Sequence, residues 1–272
     1  MLAGLGSLTA FSVLKRDGEK LRERFDSSKT MEREMDRFKE RMEKIKTPEQ
    51  LLKDRKSLET VLASFQLDTE IGKTGILRKL MTEDPKADGS LAQRLADPRY
   101  RRFAEAMTNF PVGDTTAKPD VTAEWKVQPS KNKDLMASIE ANYKLIKFER
   151  DTGQGNAGLQ EALYFRRNIQ QVTSIPQLMS DRALAYVARV GLGLSEKFAL
   201  LDYEKQRDIF KERLDLDKLK DPKELDKFIQ RFLVNAGGAS AGGTGQANAA
   251  LAIMGGGGGM ASILGARVSL RV

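Results

Sequence analysis

Two stretches of this chain carry the same pattern 127 residues apart. Asp36-Arg-Phe-Lys-Glu-Arg-Met42 and Ile45 precede Thr47-Pro-Glu-Gln-Leu-Leu-Lys-Asp-Arg55. Phe165, Ile169 and Val172 precede Ser174-Ile-Pro-Gln-Leu-Met-Ser-Asp-Arg182. The same offset pairs Phe38 with Phe165, Asp54 with Asp181 and Leu67 with Leu194. A chain that repeats its own helix starts is constrained to build two similar units. Repeated scaffolds bury a continuous core by stacking, and they serve binding and assembly more readily than catalysis.

The elements of each unit are helices. Met31, Met35, Phe38, Met42 and Ile45 step by four and three, which places one apolar seam on a helix face with charges between. Thr47 can cap a helix whose first residue is Pro48, and Gln50 can reach back to the cap; Ser174 and Gln177 repeat that logic. Ser90-Leu-Ala-Gln93 reads as a third such box. Asp97-Pro98 and Asp221-Pro222 open later helices in the two units.

The pattern predicts an all-α fold with an apolar N-terminal segment over 1–10 and a first helical unit over 11–108. A Pro-containing connector follows over 109–130, then a second unit over 131–234 and a Gly-rich tail over 235–272. The connector holds Pro111, Pro119 and Pro129 and the single tryptophan, Trp125, which is expected to pin it to the body. In the tail, Gly255–Gly259 lacks the Lys-Ser/Thr and the preceding strand of a phosphate loop. The final segment, ending Val268-Ser-Leu-Arg-Val272, alternates like a short strand. Apolar residues beyond a flexible tether should dock on something. Leu251, Ile253, Ile263, Leu264, Val268 and Leu270 are therefore the candidate interaction residues, and both termini are expected to contact neighbours.

The residue inventory narrows the chemistry. With no cysteine and no histidine, thiolate nucleophiles, Ser-His-Asp triads and the usual zinc sites have no ligands or bases to use. No motif nominates catalytic residues, a cofactor or a metal, and no run is long enough to cross a bilayer. A carboxylate enzyme needs two acids at a set separation in a cleft, which 38 acidic residues neither supply nor deny. The formal charge of +8 is spread as alternating signs rather than as an aromatic-studded basic patch, which argues against nucleic acid as partner. The N-terminus has no positive region before its glycine-broken apolar stretch, so a cleaved signal peptide is not expected.

Asp97-Pro-Arg-Tyr-Arg-Arg-Phe-Ala-Glu-Ala-Met107, preceded by Phe65-Gln-Leu-Asp68, resembles the DUF1217 family of alphaproteobacteria. The resemblance covers most of the region from Leu8 to Val234. In the second unit Asp221-Pro-Lys-Glu stands where the motif has Asp-Pro-Arg-Tyr. Members of that family are often encoded among flagellar genes, and no catalytic residues come with it. The resemblance implies a non-enzymatic structural or assembly component of the bacterial flagellum. Such a component would contact other flagellar proteins or copies of itself and would be exported without a cleaved signal peptide. The alternative is a cytoplasmic basic helical protein that acts as a flagellar chaperone or regulator, or binds nucleic acid.

Overall fold

The computed structural model describes residues 2–109 and 120–240. These residues form helices and turns, with no strand among them. The first half contains α1 (Ser7–Asp26), α2 (Lys29–Lys44), α3 (Pro48–Lys53), α4 (Arg55–Ser64), α5 (Thr74–Thr82), α6 (Leu91–Arg94) and α7 (Pro98–Met107). The second contains α8 (Lys133–Gly153), α9 (Leu159–Asn168), α10 (Ile175–Ser180), α11 (Arg182–Gly191), α12 (Tyr203–Arg213) and α13 (Pro222–Ser240). The Gly-rich and strand-like stretches of the tail, and with them Leu251, Ile253, Ile263, Leu264, Val268 and Leu270, lie outside the described residues.

The two pattern copies adopt matching local geometry. Thr47 Oγ1 accepts from Gln50 N at 3.2 Å, while Gln50 Oε1 accepts from Lys46 N at 2.7 Å. Ser174 Oγ accepts from Gln177 N at 3.3 Å, while Gln177 Oε1 accepts from Thr173 N at 2.9 Å. Asp54 and Asp181 then cap α4 and α11. Both of those helices end in a left-handed residue, Gln66 at φ 62° and Gly193 at φ 70°. Leu67 N donates to Leu62 O at 2.8 Å and Leu194 N to Arg189 O at 3.0 Å, the long-range bond of a Schellman turn in each copy. Caps and turn thus recur at the 127-residue offset.

Two apolar cores sit on either side of this arrangement. The seam of α2, Met31 to Ile45, is buried in the first core with Phe103 and Trp125. Trp125 pins the connector as expected: its Nε1 donates to Met107 O at 3.1 Å and its backbone N to Lys46 O at 3.1 Å. The second core holds Phe165, Val187, Phe210, Phe228 and Phe232. Phe165 and Phe228 stack at 5.5 Å between centroids.

The cores do not divide the chain where its pattern does. Phe11 and Leu14 of α1 are buried in the second core, although both fall within the first unit's span of 11–108. The long α8, roughly 30 Å from end to end, places Ile139 in the first core and Phe148 in the second. Phe25 at the end of α1 meets Phe148 edge-on at 5.6 Å. Two helices therefore cross between the cores and tie them together.

Three local expectations change. The N-terminal segment is docked on the body through Leu2 and Ser7, while Leu5 between them is exposed. Leu2 is buried, its carbonyl accepts from Asn156 Nδ2 at 3.0 Å, and Ser7 Oγ donates to Ala157 O at 2.7 Å. The last helix does not stop at Val234 but runs to Ser240. Asn235 Nδ2 donates to Val190 O at 2.7 Å and Ala236 is buried, so packing on α11 and α9 outweighs the helix-breaking glycines. Ser90 makes no capping bond; Glu83 Oε2 takes its place and accepts from Leu91 N at 2.8 Å. Gln93 turns instead to Pro85 O at 2.6 Å.

Candidate interaction surface

The second Schellman turn feeds a short 3₁₀ turn, Glu196–Leu200, before α12. Beneath it Phe198 is buried against Phe210, with ring centroids 4.9 Å apart. The backbone is held by Phe198 N to Ser195 O at 3.1 Å and Leu201 N to Phe198 O at 3.2 Å. Gln206 Nε2 adds a bond to Leu201 O at 2.6 Å. A turn fixed from below projects its remaining apolar side chains outward. Leu200 is 84% exposed, Tyr203 49% and Leu201 37%. Fully burying such a leucine is worth about 1.5–3 kcal/mol, so three neighbouring apolar side chains left in water mark a contact surface.

The first copy lacks this surface. The offset of 127 sets Lys73 and Thr74 opposite Leu200 and Leu201. Lys73 Nζ donates to Glu70 Oε1 at 3.1 Å, so that turn is finished with charge. The periodicity assigned the contact residues to the tail and did not single out Leu200. A residue-by-residue comparison of the copies was the signal that would have found it.

Between the cores lies a polar seam centred on the Asp97-Pro-Arg99 motif. Asp97 Oδ1 caps α7 by accepting from Arg99 N at 2.9 Å. The same carboxylate takes the Arg99 guanidinium as a fork, with Nε to Oδ2 at 2.9 Å and Nη2 to Oδ2 at 2.6 Å. Arg99 Nη1 then donates to Gln66 O at 3.1 Å, on the left-handed residue of the first Schellman turn. The Gln66 side-chain amide faces Arg167; turning its oxygen toward that guanidinium, the orientation that satisfies both groups, lets it accept from Nη1 and Nη2 at 2.9 and 2.7 Å. Arg167 closes the chain on Glu149, Nε to Oε1 at 3.1 Å and Nη2 to Oε2 at 3.0 Å.

The electrostatics of this seam suit a lock rather than a reaction. Burial alone would lower the Arg99 guanidinium, but the Asp97 hydrogen bonds and charge hold it above its ordinary value. Burial and the Asp181 carboxylate both push the Tyr164 phenol up, and its hydroxyl donates to Asp181 Oδ2. Burial also raises the Glu149 carboxyl, against the pull of Arg167. Each ionisable group faces a partner, and no group of three metal-ligating acids occurs among the described residues.

Fold and surface together define a two-core, all-helical protein whose halves are joined by a half-buried arginine network and whose second half presents an apolar turn. The family model described as "Protein of unknown function (DUF1217)" matches residues 64–225, more than half the chain, and the chain belongs to that family. The matched span contains both the seam and the exposed turn. The fold is similar to the X-ray crystal structure of protein AGR_C_984 from Agrobacterium tumefaciens. That likeness has a TM-score of 0.64 at 22% identity and covers 84% of this chain and 92% of that one. No curated protein matches. No helix among the described residues is long and apolar enough to cross a membrane.

Proposed function

We propose that this protein is a non-enzymatic structural or assembly component of the bacterial flagellum that works through protein–protein contacts. The observation that carries the contact reading is the Leu200–Leu201–Tyr203 turn, an apolar surface held rigid from beneath. The flagellar setting rests on the family, whose members are often encoded among flagellar genes. The matched caps and turns at a constant offset support a duplication of one helical unit. The second copy then differs from the first where Leu200 replaces a lysine. In this reading the partner is another flagellar protein or a second copy of the chain. The tail residues Leu251, Ile253, Ile263, Leu264, Val268 and Leu270 add anchors to the same assembly, and the protein is exported without a cleaved signal peptide.

Against the carboxylate-enzyme reading stand the states of two acids that share a groove between α2 and α4, Glu34 and Glu59. Arg55 Nε donates to Glu59 at 3.0 Å, and Lys147 and Tyr143 both donate to Glu34. Burial would raise Glu34, but those hydrogen bonds outweigh it and hold the carboxyl below its usual range. A general acid needs the opposite shift.

The test is co-purification of the full chain with isolated hook–basal bodies or filaments, beside swimming and flagellar imaging of a deletion strain. The wild type is expected in the isolated structures, the doubly substituted L200K/Y203E chain is expected to be lost from them, and the deletion strain is expected to swim poorly. Absence of the wild type from the structures, together with normal flagella in the deletion strain, would overturn the reading.

A further inference from the structure

A groove of about 440 Å³ runs between α2 and α4, outside both the polar seam and the apolar turn. Its α2 wall carries Arg33, Arg37 and Arg41. One-turn steps of about 6 Å place these three on one helix face over about 12 Å. Lys56, Ser57 and Thr60 at the start of α4 form the opposite wall. The acidic side chains of the groove are already engaged: Glu34 by Lys147 and Tyr143, Glu59 by Arg55 and by Lys56. Among the described residues, no carboxylate within ion-pair distance serves Arg33, Arg37 or Arg41. Some other cations of this surface are paired, as Arg150 is with Asp68 at 2.6 Å and Lys39 with Glu140 at 2.8 Å.

A second, independent feature lies in the same groove. Ser57 is wholly buried, and its hydroxyl has no hydrogen-bond partner. A buried hydroxyl without a partner costs about 1–3 kcal/mol. The neighbouring Thr60 hydroxyl, by contrast, donates to Lys56 O at 3.1 Å. Three unpaired guanidinium forks and an idle hydroxyl are the donor set that phosphate oxygens match, because guanidinium pairs with phosphate through two parallel bonds.

We propose that this groove binds a small anion carrying two or more phosphate groups. The spacing of the arginines asks for charge at more than one point, which a single phosphate cannot place. The volume is that of a small-molecule site. An extended nucleic acid fits less well, because Glu34 and Glu59 interrupt the basic wall and the other faces of α2 carry Glu32, Asp36, Glu40 and Glu43.

The experiment is a calorimetric titration of the full chain with tripolyphosphate, inorganic phosphate and a short single-stranded oligonucleotide, at low and near-physiological salt. Tripolyphosphate is expected to saturate at one site per chain and to bind at least about tenfold more tightly than inorganic phosphate. Arg37→Ala and Arg41→Ala are each expected to weaken it about tenfold, the loss of one charge-assisted fork. Ser57→Ala is expected to weaken it severalfold without lowering the melting temperature. Arg101→Ala, on the exposed face of α7, is expected to leave it unchanged. Absence of saturable tripolyphosphate binding overturns the proposal, as does equal weakening by Arg101→Ala and Arg37→Ala. Oligonucleotide binding as tight as tripolyphosphate's, lost steeply with salt, would mark a general polyanion surface and overturn it as well.

Discussion

Gly191 closes α11 beneath the Phe228 ring, and replacing it with alanine puts the second core under a defined load. A Cβ at this position would lie 2.6 Å from Phe228 Cζ and 2.7 Å from Cε1. Ordinary contact begins near 3.4 Å, so the ring must retreat by about 0.8 Å. It has little room, because Phe228 is 2% exposed and stacks on Phe165 at 5.5 Å. Overpacking a filled core costs about 1–3 kcal/mol, while exchanging glycine for alanine in a helix returns up to about 1 kcal/mol. The balance is a loss of about 1–2 kcal/mol. For a body of this size that lowers the melting temperature by roughly 2–8 °C. Urea unfolding of Gly191→Ala, Phe228→Leu and the double variant separates the terms. Each single change is expected to destabilise, and Phe228→Leu is expected to cost about 1 kcal/mol less in the alanine background, since the smaller side chain vacates the contested space. A Gly191→Ala protein as stable as the wild type, or additive losses in the double variant, would refute the packing account.

Other consequences are as direct. Arg99→Met leaves Asp97 with its cap but strands its carboxylate, in a pair whose side chains are only 20% and 14% exposed; the expected loss is about 2–3 kcal/mol in urea unfolding, and Arg99→Lys should not restore it because an ammonium cannot reproduce the fork. Glu34, Glu70 and Glu140 are all held below the usual carboxylate range: burial raises each, and lysine hydrogen bonds outweigh it. Depressed native values mean stability that is present above the unfolded carboxylate value and lost as pH falls through the native ones. Glu149, raised by burial, acts in the opposite sense but is one group against three. Urea midpoints should therefore hold from pH 7 to 5 and drop below about pH 4.5, where unfolded glutamate titrates; an unchanged midpoint at pH 3.5 would contradict this. A chain ending at Val234 loses the Asn235–Val190 bond and buried Ala236 and should unfold about 1–2 kcal/mol more easily, whereas one ending at Ser240 should match the full chain.

Much of the local structure is legible in the residues because its causes are local. Thr47, Ser174, Asp54 and Asp97 cap helices that begin within three residues of them. The α2 seam is buried as its spacing requires. Where local rules failed, a distant group intervened. Glu83 displaced Ser90 as a cap, and α11 and α9 gave Asn235 and Ala236 something to pack on. The sites were less legible. Arg99 is conspicuous beside Asp97, but its acceptor, Gln66 O, is 33 residues away. Arg33, Arg37 and Arg41 look like a solvated helix face until α4 is set beside them.

The sequence by itself determined that this chain is helical, where most helices start, which faces are apolar, and that two stretches share one local design. Each of these follows from interactions spanning a turn or two of chain. Tertiary structure alone decided that α1 joins the distant core, that α8 belongs to both, that Gln66 links two arginines from different halves, and that Leu200 is left in water. Periodicity states which face of a helix is apolar but not which surface covers it. That choice is made only when the whole chain competes for the same buried space.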